Sequence, residues 1–216
     1  MKEVKMREEI LYKILSIPAI LVAFTFHEYA HGIVADKLGD KTARFQGRLN
    51  LNPLVHIDPI GFILILIAGF GWAKPIRVNR GAFKNYYMDD LKVSIAGPLA
   101  NLFTAIVFSI ISGFYFKFTY EAYGTMISII AGILVNVVSI NVILFLFNLL
   151  PVPGFDGFSI LEDLFPKVFG KIGYNLYKYQ QLIFIGVVFF AWRILTVPSN
   201  YIFSLLNKLI EFIVFL

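Results

Sequence analysis

The sequence predicts an all-α polytopic membrane protein, with about four to six transmembrane helices and a short re-entrant or β-edge segment. Three observations carry that prediction. First, 58 % of the 216 residues are apolar and only 15 % charged, and the mean hydropathy is +0.76; ordinary soluble domains are not built this way. Second, residues 93 to 116, 122 to 155 and 179 to 192 contain no Asp, Glu, Lys or Arg, and a spanning helix takes roughly 20 such residues. Third, lipid offers backbone groups no partner, so the crossing segments should be helices.

Residues 14 to 35 read as the first span, in which Glu28 is the lone formal charge. A rise of about 1.5 Å per residue puts Glu28 roughly 10 Å from the C-terminal end of that run, inside the hydrocarbon. The following "GDKTARFQGRLNLNPLVHIDP" is polar and rich in turn residues, and should leave the membrane. Next comes a charge-free stretch over 59 to 73, short for a span, with Gly69, Gly71 and Pro75 at its end. Basic residues flank it on both sides (Lys37, Lys41, Arg44 and Arg48 before, Lys74, Arg77, Arg80, Lys84 and Lys92 after), which favours re-entry over crossing. Glycines and prolines in "GFGWAKPIRVN" disfavour helix, and an extended edge that includes Gly71 and Trp72 is expected there.

Two long spans follow, over about 91 to 116 and 125 to 150, joined by "KFTYEAYGT". The second ends at "FNLLPVPGFDG", whose prolines and glycines should break the helix. Residues 157 to 178 carry Lys167, Lys171 and Lys178, and a fourth span is expected over about 176 to 197. The tail "YIFSLLNKLIEFIVFL" sets Ser204, Asn207, Lys208 and Glu211 on one helical face, as an interfacial helix or a last span. Lysine and arginine asymmetry places residues 37 to 57, 74 to 90 and 157 to 175 in the cytoplasm and the loop near Tyr120 outside, with the active site nearer the cytoplasmic side. It also places the N-terminus outside, although Lys2, Lys5, Arg7 and Lys13 pull the other way.

A single integral domain over 1 to 216 is expected, with a catalytic core near 10 to 160 and C-terminal helices near 176 to 216. No cleavable leader and no internal repeat are read. The chain has no cysteine, so any metal must be held by nitrogen and oxygen. The net charge of +5 sits in short connections beside apolar runs, where it orients a bilayer protein; nucleic acid is not expected as a partner.

The chemistry is concentrated in "HEYAH". His27 and His31 at i and i+4 share one helical face, so both imidazoles can meet one ion with Glu28 beside the remaining position. That is the HExxH arrangement of zinc hydrolases, in which the metal lowers the pKa of water to about 7 and the glutamate takes its proton. The bland reading, ordinary hydrogen-bonded side chains at a helix end, is weakened because ionisable groups in lipid cost about 2.5 to 3.5 kcal/mol and are functional by default. A third ligand has four sources: His56, Asp58, Asp156 and Glu162. Asp156 fits best, since a helix break at 151 to 154 could fold it back into the bundle, although an Asp before Gly also makes turns and caps.

"HEYAH", "SIAGPLAN" and "FNLLPVPGFDG" together resemble the site-2 protease family of intramembrane zinc metalloproteases, over about residues 18 to 160. "LNPLVHIDPIG" and "GFGWAKPIRVN" are similar to the connecting region of its compact prokaryotic members, without PDZ or CBS modules. The resemblance implies one zinc on His27, His31 and Asp156, Glu28 as general base, and Asn148 as a group that positions the substrate or the developing oxyanion. It also implies a bacterial or archaeal cell membrane and a transmembrane protein as substrate. Asn101, with Ser94 and Gly97, reads instead as a small-polar stripe for close helix packing. A transporter or channel would spread its polar residues along several helices, and a metal-binding scaffold would share the ligands without the cleavage.

Overall fold

The computed structural model describes residues 2–69 and 71–216. Eight α-helices follow in order among them: α1 Lys2–Leu38, α2 Thr42–Phe45, α3 Pro59–Ala68, α4 Tyr86–Thr119, α5 Thr125–Asn148, α6 Asp156–Leu164, α7 Pro166–Lys178 and α8 Gln180–Val214. Short 3-10 turns occupy Pro53–Val55 and Arg80–Ala82. No strand forms among the described residues, and the extended stretch after α3 makes one antiparallel bridge, Ile57 to Ala73.

Among the described residues, three helical stretches are long and apolar enough to cross a bilayer: Ile10–Leu38, Tyr86–Thr119 and Thr125–Asn148. The chain is thus an all-α membrane protein. α3 has ten residues, about 15 Å of helix, half a hydrocarbon core. Asp58 caps its first turn by accepting from Ile60 and Gly61 N–H, and Gly69 ends it at φ 77°, a left-handed conformation that suits glycine.

α4 is the hub, packing against α1, α5, α6 and α8. Its two faces invert soluble-protein logic: Ser94, Gly97, Asn101, Thr104, Ser109 and Ser112 are buried, while Leu99, Phe103, Ile106, Ile110 and Phe114 are exposed. Lipid explains the inversion, since apolar side chains gain nothing by leaving it whereas polar ones must find protein partners. Thr104, Ser109 and Ser112 satisfy themselves by donating to carbonyls one turn back, at 2.7–2.8 Å. The seam with α5 and α8 is apolar, closed by Ala105, Val138, Val142 and Leu206.

The C-terminal region departs from the sequence reading. The expected fourth span over 176 to 197 and the separate tail are replaced by α7 and one continuous 35-residue α8, which carries Pro198 inside it. The helix runs on through Pro198, and Ser199 Oγ donates to the Thr196 carbonyl at 3.1 Å. The side chains at 188, 191 and 192, within that expected span, lie outside the description.

Candidate metal centre

α1 runs unbroken through the HExxH stretch, so the i, i+4 spacing does what its geometry requires: His27 and His31, both buried, bring their Nε2 atoms to 3.1 Å. α5 ends at Asn148 and the chain turns through Leu150, Pro151 and Pro153 to Gly154, at φ 100°. Asp156 is the first residue of α6, and its carboxylate oxygens lie 3.3 Å from His27 Nε2 and 3.4 Å from His31 Nε2. One ligand atom from each of the three residues falls within 4.8 Å of the others.

The hydrogen bonds behind the histidines fix which nitrogens carry protons. His31 Nδ1 is 2.7 Å from the Val93 carbonyl, which can only accept. His27 Nδ1 is 2.7 Å from Asn101 Oδ1; the orientation of that amide follows because Asn101 Nδ2 donates to the Ala23 carbonyl at 3.1 Å and to Asn141 Oδ1 at 2.9 Å. Each neutral imidazole therefore holds its proton on Nδ1 and turns a bare Nε2 lone pair into the site. Two lone pairs and a carboxylate converge there, and Asp156 Oδ2 is buried without a hydrogen-bond partner. A metal cation suits such a set, and the outer bonds to Nδ1 are those that orient metal-ligating histidines. Space agrees: a methyl on Gly97 would strike His31 Nε2 and lie 2.6 Å from His27 Cε1.

The facing wall is not helical. Residues 71 to 79 run extended past the site, and Ile76 N–H donates to Glu28 Oε2 at 2.7 Å. The segment is held from behind by Lys74 N–H on the His56 carbonyl at 2.9 Å and by Arg48, whose Nη1 and Nη2 donate to the carbonyls of Pro75 at 2.6 Å and Lys74 at 2.5 Å. Asn79 N–H reaches Asp40 Oδ2 at 2.7 Å. A cavity of about 470 Å³ opens between the walls, lined by His27, Glu28, His31 and Asp156 and also by Gly71, Trp72 and Asn148. Asn148 Nδ2 donates to the Leu144 carbonyl at 3.1 Å, leaving its carbonyl oxygen and second amide hydrogen for other partners. Gly71 presses on the Gly61 carbonyl where no side chain would fit, which seats the extended segment on α3.

The other candidate third ligands are engaged elsewhere. Asp58 caps α3. His56 is fully buried, its Nε2 on the Asn50 carbonyl at 2.7 Å, and burial lowers its pKa. Glu162 sits 3.4 Å from Arg80 and accepts from Tyr177 at 3.3 Å. Arg80 also pairs with Asp90 of α4 at 2.6 Å. Asp163, one residue along α6 from Glu162, is raised to about 7, first by burial and then by the adjacent Asp90 carboxylate.

Asn101 and Gly97 were read from sequence as packing elements only, and the structure sets both against the histidines. The signal was present but incomplete: Ser94, Gly97 and Asn101 at i, i+3 and i+7 form a face with the same repeat as a histidine pair, yet nothing in one sequence says that the two faces meet.

The Peptidase family M50 profile matches residues 15–192 of the chain. Curated relatives that carry the name "Putative zinc metalloprotease" include two of high similarity. YwhC of Bacillus subtilis is 51 % identical over 152 residues, 68 % of this chain and 67 % of its own. MJ0611 of Methanocaldococcus jannaschii is 32 % identical over 176 residues, 79 % of this chain and 81 % of its own. No solved structure matches.

Proposed function

The chain belongs to peptidase family M50, the site-2 protease family of zinc metalloproteases, and from that premise we propose that it hydrolyses a peptide bond in or near a transmembrane segment of another membrane protein. The observation that carries the reading is the meeting of two bare imidazole nitrogens with an unpartnered Asp156 oxygen among helices long enough to cross a bilayer. A site placed there can reach only what shares the membrane with it.

His27, His31 and Asp156 would hold one zinc per chain. Zinc, when bound, supplies a water of lowered pKa and polarises the scissile carbonyl. Glu28 is the general base: Oε2 is occupied by Ile76 N–H, so Oε1 accepts the proton of the attacking water and later passes it to the leaving amine. Asn148, on the cavity wall, has an amide hydrogen to offer the developing oxyanion. A transmembrane helix hides its carbonyls in its own hydrogen bonds, so the substrate must unwind locally, and the extended segment from Gly71 and Trp72 through Val78 is where it would pair as a strand.

The protein is proposed to be multi-pass in the cell membrane, with its active site nearer the cytoplasmic side and a role in regulated intramembrane proteolysis. The decisive experiment is metal analysis of purified protein together with cleavage of a model transmembrane substrate, with and without chelator. Stoichiometric zinc and chelator-sensitive cleavage support the proposal. Zinc without cleavage of any membrane-embedded peptide, alongside cleavage of soluble ones, would refute the substrate class.

A further inference from the structure

We infer that Arg48 and the backbone N–H of Ile76 act as one positioning unit for Glu28, a role that rests on Glu28 being the general base. Glu28 leaves α1 on a side chain with three rotatable bonds, yet its carboxylate is held by one contact from outside its own helix, the Ile76 N–H at 2.7 Å. That donor belongs to an extended segment with no sheet around it. What keeps Ile76 in register is therefore the set of side chains that grip its neighbours.

Arg48 is the main one. It is 7 % exposed, and its planar fork spans two successive carbonyls, Lys74 and Pro75, the two residues directly before Ile76. A lysine ammonium has no such fork and cannot hold both carbonyls in one fixed geometry. Pro75 adds stiffness, because its ring fixes φ and restricts Lys74 before it to extended conformations. The chain of contact is short: the Arg48 fork sets the Lys74 and Pro75 carbonyls, the peptide plane that includes the Pro75 carbonyl also contains the Ile76 N–H, and that N–H sets Glu28 Oε2. Since one rigid peptide unit links the Arg48 contact to the Glu28 contact, a shift at the first is transmitted to the second without loss.

This role differs from merely closing a loop. A loop brace would serve substrate docking, so its loss would raise KM. A brace for the base would lower kcat and leave KM near its starting value, because it acts on Glu28 and not on the bound substrate.

The test uses full-length protein, zinc-loaded, in one detergent or nanodisc preparation, with kcat, KM and zinc per folded chain measured for each variant. Arg48→Lys should retain zinc and a KM within about threefold, and lose about 10²-fold in kcat, the scale of a catalytic group misplaced by about 1 Å. Arg48→Ala should lose at least as much and recover in part when millimolar guanidinium refills the cleft. An α-hydroxy acid placed at position 76 by nonsense suppression replaces the N–H by an ester oxygen and keeps the Arg48 side chain, while the Pro75 carbonyl it grips becomes a weaker ester acceptor; as a perturbation of the same unit it too should lower kcat selectively. Wild-type kcat in Arg48→Lys, a rise in KM alone, or loss of kcat only in step with loss of zinc would each overturn the inference. Glu28→Gln, run beside them, separates the two levels. If it is inactive with zinc bound while the Arg48 and position-76 variants are fully active, the positioning unit fails and the base assignment stands; if it cleaves normally, both fail.

Discussion

The two walls of the cavity are built on opposite principles. The wall of α1, α4 and α5 is regular helix, whose histidines are brought together by spacing and oriented by a closed network of His27, Asn101, Asn141 and the Ala23 and Val137 carbonyls. The wall from 71 to 79 has no regular structure and borrows its shape from side chains: Arg48, Asp40 and Glu28. Metal retention should accordingly depend on the helical wall and turnover on the extended one. That separation of duties makes the two walls separately breakable.

The largest expected effect separates base from ligand. Glu28→Gln keeps the three ligands and should retain zinc while cleavage falls by at least the 10²- to 10⁴-fold that general-base catalysis contributes; His31→Ala should lose both, by metal analysis and substrate cleavage in the same preparation. Equal zinc loss in the two would erase the distinction between walls. Gly97→Ala comes next, because its methyl collides with His31 Nε2; overpacking of about 1 to 3 kcal/mol should weaken zinc affinity by about 5- to 150-fold, measured by chelator competition.

Asn101→Ala frees the His27 ring to rotate and should cost about 10- to 100-fold in zinc affinity, with full occupancy restored by excess metal. Asn148→Ala, across the cavity on α5, should leave zinc affinity unchanged and lower kcat by about tenfold, since oxyanion donors act only in the transition state. An equal effect on zinc would move Asn148 to the metal-holding group. The smallest effect is on stability. Asp163 keeps its proton in the folded chain up to about 7, whereas an unfolded Asp releases it near 4. The folded state thus binds the extra proton between those values, and stability should fall as pH rises from about 4 to about 7 and level off above. Thermal melts of Asp163→Asn in detergent should lack that slope.

How much of this was legible in the sequence depends on how local each feature is. His27, Glu28 and His31 lie within one and a half turns, so helical period alone defined their shared face. Asp156 was legible at one remove, through prolines and glycines that had to end α5 before it. The charge-free stretch over 59 to 73 read as short for a span, and the helix formed within it, α3, is ten residues long. What stayed hidden was rotational pairing between distant helices. Asn101 faces His27 across 74 positions of sequence, and its hydrogen bond exists only because α4 presents that face to α1. Arg48 was read as one of several basic loop residues that orient the chain, because a buried fork on two carbonyls leaves no mark in composition.

The separation of the ligands along the chain has a consequence for how the protein is made. His27 and His31 emerge from the ribosome 125 residues before Asp156, which at about 5 to 20 residues per second is a delay of roughly 6 to 25 s. During that interval the nascent chain offers two imidazoles without the Asp156 carboxylate, an incomplete ligand set, while the prospective general base already sits beside them. With the proposed ligand set, activity would be withheld by synthesis order until the bend at Gly154 has delivered α6. A nascent chain stalled so that residue 150 is the last to leave the ribosome should not retain zinc against a mild chelator, and one stalled with residue 175 exposed should. Tight zinc retention in the shorter chain would show that the first two ligands suffice, and that emergence of the third is not what switches the enzyme on.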